Sequence, residues 1–156
     1  MMNQAIVERN VSWSRRAAKA YSVVLVLAAS AGLLWPQAQP SAPRHAIDVW
    51  LDECLAKDPS TAGTLTCLGQ AYAKWDAELN ATYQKLFAKL PADGQSALRE
   101  SQRAWLKYRD QEFLFLDGLY GLMDGSMYQT MRAADRVDVV RKRALELSSY
   151  IDVLEE

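Results

Sequence analysis

Asp76, Glu78, Asp110 and Glu112 come closest, of all residues in this chain, to a catalytic set. Two carboxylates flanking a glycosidic bond can serve as general acid and as base or nucleophile. Enzymes of that kind are usually larger and hold the sugar in a deep cleft. Here both pairs fall in segments of helical periodicity, where charges at such spacings form solvated faces. Nucleophilic chemistry has no material: the single histidine, His45, stands beside no convincing serine or thiol nucleophile. A metal would need more ligands than His45, Cys54 and Cys67 supply. No catalytic residue, metal or cofactor is assigned, and the chain is expected not to be an enzyme.

Two other stretches carry polar residues at deliberate spacing. In "WDAELNATY", residues 75–83, Asp76, Asn80 and Tyr83 share one helical stripe beside a seam of Trp75, Leu79 and Leu86. In "QRAWLKYRD", residues 102–110, Gln102, Trp105 and Arg109 share a face, with Asp110 a step aside. Trp105 then belongs to a core, and the Gln102 and Arg109 heads bond to a neighbouring helix or its loops. A sharper alternative gathers Asn80, Gln102 and Arg109 into one polar cluster that fixes helix register. Neither reading needs a substrate.

The elements that position these residues follow from periodicity. "IDVWLDECLAK", from Ile47 to about Lys57, suits a short amphipathic helix, which "DPST" breaks before Ser60 or Thr61 caps the next. Leu65, Leu68, Tyr72, Trp75, Leu79, Tyr83, Leu86 and Leu90 then recur in steps of three and four, the stripe of one long helix. "PADG", residues 91–94, ends it. A second long helix is expected from about Gln95 to Leu116, then a Gly-rich loop "DGLYGLMDGS" over 117–126 with a helical turn around Leu119 to Met123. The last helix runs from about Met127 to Leu154. No stretch alternates with period two for long enough to make a strand. The fold class is all-α: three long antiparallel helices, up-down-up, plus a short N-terminal helix.

Half of the 156 residues are hydrophobic and 24% are charged, the composition of one globular domain rather than a disordered tail. The first segment stands apart. Arg9, Arg15, Arg16 and Lys19 precede the charge-free run Ala20 to Trp35 and the small, Pro-rich "PQAQPSAP". That is the layout of a secretory signal peptide, 1–38, with cleavage near Ala38, followed by a flexible linker, 39–46, and the helical domain, 47–156. The apolar run falls short of the about 20 residues of a spanning helix, so membrane attachment is expected only if the leader is retained. Beyond residue 39 the chain holds 14 Lys and Arg against 18 Asp and Glu. Such mild acidity disfavours nucleic acid, whose phosphates call for a basic patch, and suits a basic protein partner. Cys54 and Cys67 both lie in the exported part and are expected to form one structural disulfide.

The ordered set Cys54, Cys67, Tyr72, Trp75, Asp76, Leu79, Asn80, Tyr83, Leu86, Gln102, Trp105, Arg109 and Asp110, followed by "DGSMY" at 124–128 and "RALEL" at 143–147, resembles the lysozyme-inhibitor LprI-like family of exported bacterial proteins. The resemblance spans about 48–147. It implies a helical periplasmic or secreted domain that binds a protein partner, lysozyme or a related peptidoglycan hydrolase, and inhibits it. An immunity protein or a non-catalytic scaffolding module of the cell envelope is the alternative. Members often carry a second cysteine pair, where Phe113 and, nearby, Asp135 stand in this chain. Packing by Phe113, Phe115 and Met131 is expected to replace that bridge. The signature residues read as mostly architectural. The candidate partner-binding loop comprises Tyr120, Met123, Asp124, Met127 and Tyr128, with the counter-reading that Tyr120 and Met127 close the end of the bundle.

Overall fold

Four helices account for residues 46–155 of the computed structural model, which describes residues 44–156. The proposed leader, and the linker up to residue 43, lie outside the described residues. α1 (Ala46–Lys57) opens on His45, whose Nδ1 accepts the Ile47 amide at 3.2 Å. α2 (Thr61–Lys89) opens on Ser60, whose hydroxyl accepts the Gly63 amide at 3.0 Å. Gly63 is required there because a Cβ would overlap the Asp58 carboxyl.

α3 (Ala92–Gly121) is longer at both ends than its sequence pattern suggests. Pro91 supplies the N-cap with φ −66°, and Asp93 in the first turn suits the positive end of the helix dipole. Gln95 is already within this helix, and its side-chain amide donates to the carbonyls of Phe87, which also accepts the Leu90 amide, and of Leu90, at 3.1 and 3.0 Å. At the other end the Gly-rich segment expected as a loop continues the helix through residue 121. Glycine costs about 1 kcal/mol in a helix. Buried Leu116, the Asp117 ion pair with Arg136 (2.6 Å) and the Tyr120 hydrogen bond to Asp135 (2.5 Å) hold this last turn against α4 and outweigh that cost. The connection shrinks to residues 122–125, where Gly125 takes φ +120°, before α4 (Ser126–Glu155).

α2 and α4 run in the same direction. Thr61 meets Ser126 at their N-terminal ends, and Lys89 pairs with Glu155 at their C-terminal ends (2.8 Å). α3 runs the opposite way, as the Gln102–Arg143 and Tyr120–Asp135 contacts require. The up-down-up arrangement is as expected, with no strand among the described residues. The core is chiefly the α2–α4 seam: Leu68, Ala71, Trp75, Leu79 and Leu86 against Val137, Val140, Ala144 and Leu147. Ala71 and Ala144 let these two helices approach closely along their length. α3 packs more loosely through Leu98, Leu116 and the half-buried Trp105 and Phe113. Of the three residues expected to replace a second bridge, only Phe113 does so, 6.1 Å from Tyr72 between ring centres and beneath the Arg136 guanidinium. Phe115 and Met131 point outward and are exposed.

Cys54 and Cys67 form the expected disulfide and tie α1 to α2. α1 has no fully buried residue of its own. It is clamped instead by Arg141 of α4, which donates to both Asp48 oxygens (2.7–3.1 Å), and by His45 stacked 4.4 Å from Trp75. The Arg141 hydrogen bonds hold the Asp48 carboxyl below its ordinary pKa. A carboxylate depressed in the folded state stabilises fully above its unfolded pKa of about 4, and that stabilisation drains away as pH falls through the folded value. Asp48→Asn is expected to cost about 1–2 kcal/mol at neutral pH, kept modest by the partial exposure of Arg141. The variant should also flatten the stability loss below about pH 4. Urea unfolding at pH 7 and pH 3 checks both.

Candidate functional site

The end of the bundle where α3 turns into α4 presents a set of outward apolar side chains. Leu122 is 85% exposed, and Met123 and Met127 are exposed beside it. Asp124 stands among them. The backbone beneath is fixed: Leu122 and Met123 amides donate to the Leu119 and Tyr120 carbonyls at 3.3 Å, and the Tyr128 amide returns to Gly125. Behind this tip a shallow cavity of about 310 Å³ is lined by Tyr120, Met123, Asp124, Tyr128 and Arg132. The five loop residues singled out from sequence therefore gather at one end, in two roles. Tyr120 is half-buried, its phenol pKa raised because its proton is donated to Asp135. It braces the tip from within, with Tyr128 half-buried nearby. Met123, Asp124 and Met127 face solvent.

The signature residues are dispersed. Trp75 is 0% exposed and Leu79 is buried with it in the α2–α4 seam. Asn80 faces solvent and donates to the Asp76 carbonyl and carboxylate one turn back in its own helix (2.8 and 3.2 Å). Tyr83 lies half-buried near Phe87. Gln102 accepts from Arg143 of α4, while Arg109 pairs with Asp110 at 2.7 Å and lies over Trp105 and Phe113. Asn80, Gln102 and Arg109 thus each have separate partners, and the single polar cluster does not form.

The sequence placed Arg143 in the "RALEL" stretch but gave it no role. It is only 7% exposed, and its guanidinium reaches Gln102 (3.2 Å), Ser101 (3.0 Å) and Glu146 (2.7 Å). The Arg143 hydrogen bond, helped by one from Tyr150, holds the Glu146 carboxyl below its usual pKa. The run "RKR" at 141–143 looks like a solvated face, but Arg143 sits beside the Val140, Ala144 and Leu147 stripe. That adjacency was the available signal. The Asp48–Arg141 clamp joins residues 93 positions apart and left no local trace.

Residues 53–147 match the family model described as Lysozyme inhibitor LprI. The chain belongs to the lysozyme inhibitor LprI family. The LprI match covers all of α2 and α3, and most of α4. A curated relative, an uncharacterised protein of Rhizobium meliloti (strain 1021), is 31% identical over 102 residues, covering 57% of this chain and 72% of the relative. The crystal structure of an uncharacterised protein from Burkholderia thailandensis is similar at a TM-score of 0.67 and 37% identity, over 71% of this chain. This chain spans 56% of that one's length. No described helix is long and apolar enough to cross a membrane.

Proposed function

We propose that this LprI-family protein is exported by a cleaved leader, residues 1–38, and acts in the periplasm or outside the cell. There it binds lysozyme or a related peptidoglycan hydrolase and inhibits it without chemistry of its own. The observation that carries this reading is the α3–α4 tip, with Leu122, Met123 and Met127 exposed around Asp124 on a braced turn. Binding energy at protein interfaces concentrates in a few desolvated side chains on a rigid frame, and this tip offers such a set. The surplus of acidic residues beyond residue 39 would steer encounter with a basic enzyme.

Hydrolysis of cell walls by a basic lysozyme, titrated with the oxidised processed protein, is expected to fall in a dose-dependent way and to saturate near one to one. Leu122→Asp and Met127→Asp should each weaken inhibition by about thirtyfold while leaving the thermal midpoint in place, because both side chains stand in solvent. Full hydrolase activity at a large excess of folded protein would discard the inhibitor reading in favour of a non-inhibitory envelope-binding module.

A further inference from the structure

The tip leaves unused the groove that runs below it between α3 and α4, a cavity of about 650 Å³ whose α3 wall includes Trp105, Tyr108 and Glu112. Its opposite wall holds Asp138, Lys142, Arg143 and Glu146. Both cations of that wall are neutralised within the protein, Lys142 by Asp138 at 2.6 Å and Arg143 by Glu146 at 2.7 Å. Asp135, which also lines the groove, accepts the neutral Tyr120 hydroxyl and makes no ion pair of its own, though Lys142 lies near enough to feel its charge. Glu112 is half-buried and has neither an ion-pair nor a hydrogen-bonding partner among the described residues. A carboxylate partly withdrawn from water without a partner is at a disadvantage that a cation arriving from outside would relieve. Tyr108 beside it is half exposed and carries no cation, whereas Trp105 already lies under Arg109, itself neutralised by Asp110. The groove's carboxylates, Glu112, Asp135, Asp138 and Glu146, thus outnumber its cations, Lys142 and Arg143, and the Tyr108 ring has no cation over it, features that favour an alkylammonium or guanidinium group.

We propose that the α3–α4 groove is a second docking surface, taking a lysine or arginine side chain of the hydrolase between Glu112 and Tyr108. This inference rests on the inhibitor reading and adds to it. Glu112 lies about 15 Å along α3 from Leu122, so one partner can span tip and groove. The exposed Phe115 lies between them on α3.

Calorimetric titration of a basic lysozyme with the processed protein, at low and physiological salt, separates the two ideas. Glu112→Gln is expected to weaken binding by about tenfold at low salt and to reduce the salt dependence. Glu112→Lys should weaken it by about a hundredfold, and Tyr108→Ala by about fivefold. Circular dichroism and an unchanged melting temperature confirm that each variant is folded. Should all three variants bind within twofold of the parent while Leu122→Asp still weakens binding, the groove proposal is overturned and the tip reading stands. A parent protein that does not bind the enzyme removes both.

Discussion

Trp75→Ala is expected to lower the unfolding free energy by about 4 kcal/mol, the largest loss for any single side chain in this protein. Trp75 is fully buried at the centre of the α2–α4 seam, packed among Ala71, Leu79, Val140 and Ala144. Its ring also carries His45 at 4.4 Å and the Arg141 guanidinium at 5.6 Å, so truncation loosens the seat of α1 as well as opening a cavity. One effect opposes this. The indole Nε1 is buried with no acceptor among the described residues, and an orphaned donor costs about 1–3 kcal/mol. Alanine relieves that cost but gives up the whole ring, so burial wins. Phenylalanine separates the terms, because it keeps most of the apolar area and removes the orphaned N–H. Trp75→Phe is therefore expected to lose less than about 1.5 kcal/mol. Urea unfolding of both variants decides it; a Phe variant as unstable as the Ala variant would mean that the indole shape, rather than apolar area, holds the seam.

The α2 stripe was legible because its apolar residues keep helical spacing over its whole length: Leu68, Trp75, Leu79 and Leu86 are buried as the pattern requires. Breaks at Pro59 and Pro91 were legible too, since proline cannot sit inside a helix without losing a hydrogen bond. The far end of α3 was not. Gly118 and Gly121 look like loop residues, and the groups that overrule them, Arg136 and Asp135, belong to α4. Local composition cannot carry information that resides in a facing helix. The same holds for residues 92–94, which look like a break but are already helical in α3, where the Gln95 side chain ties the new helix back to the Phe87 and Leu90 carbonyls. At the candidate site, the choice of residues was legible but their division of labour was not. Whether Tyr120 faces solvent or braces the turn depends on where Asp135 falls, one helix away.

Removing the disulfide should produce the second large effect. A cross-link between residues separated by 13 positions stabilises by about 3 kcal/mol in the chain-entropy model. Here the consequence concentrates on α1. That helix buries no residue fully, and its remaining attachments are the Asp48–Arg141 pair, the His45–Trp75 stack, Lys74 over Trp50 and the partial burial of Ile47, Trp50 and Leu51. Lys74 over Trp50 is an exposed contact, worth about 0.5–1 kcal/mol, so the set without the bridge is marginal. The double variant Cys54→Ser, Cys67→Ser is expected to lose about 3 kcal/mol and roughly 10–20 °C of melting temperature. Amide exchange should accelerate first in α1 and only afterwards in the α2–α4 seam, because α1 opens before the bundle does. Lifting α1 exposes the ring of Trp75, so a red shift of tryptophan fluorescence should accompany that early exchange and precede the loss of helical signal. A variant with an unchanged midpoint and protected α1 amides would show instead that the Arg141 clamp alone holds α1, and that the bridge adds nothing to the folded domain.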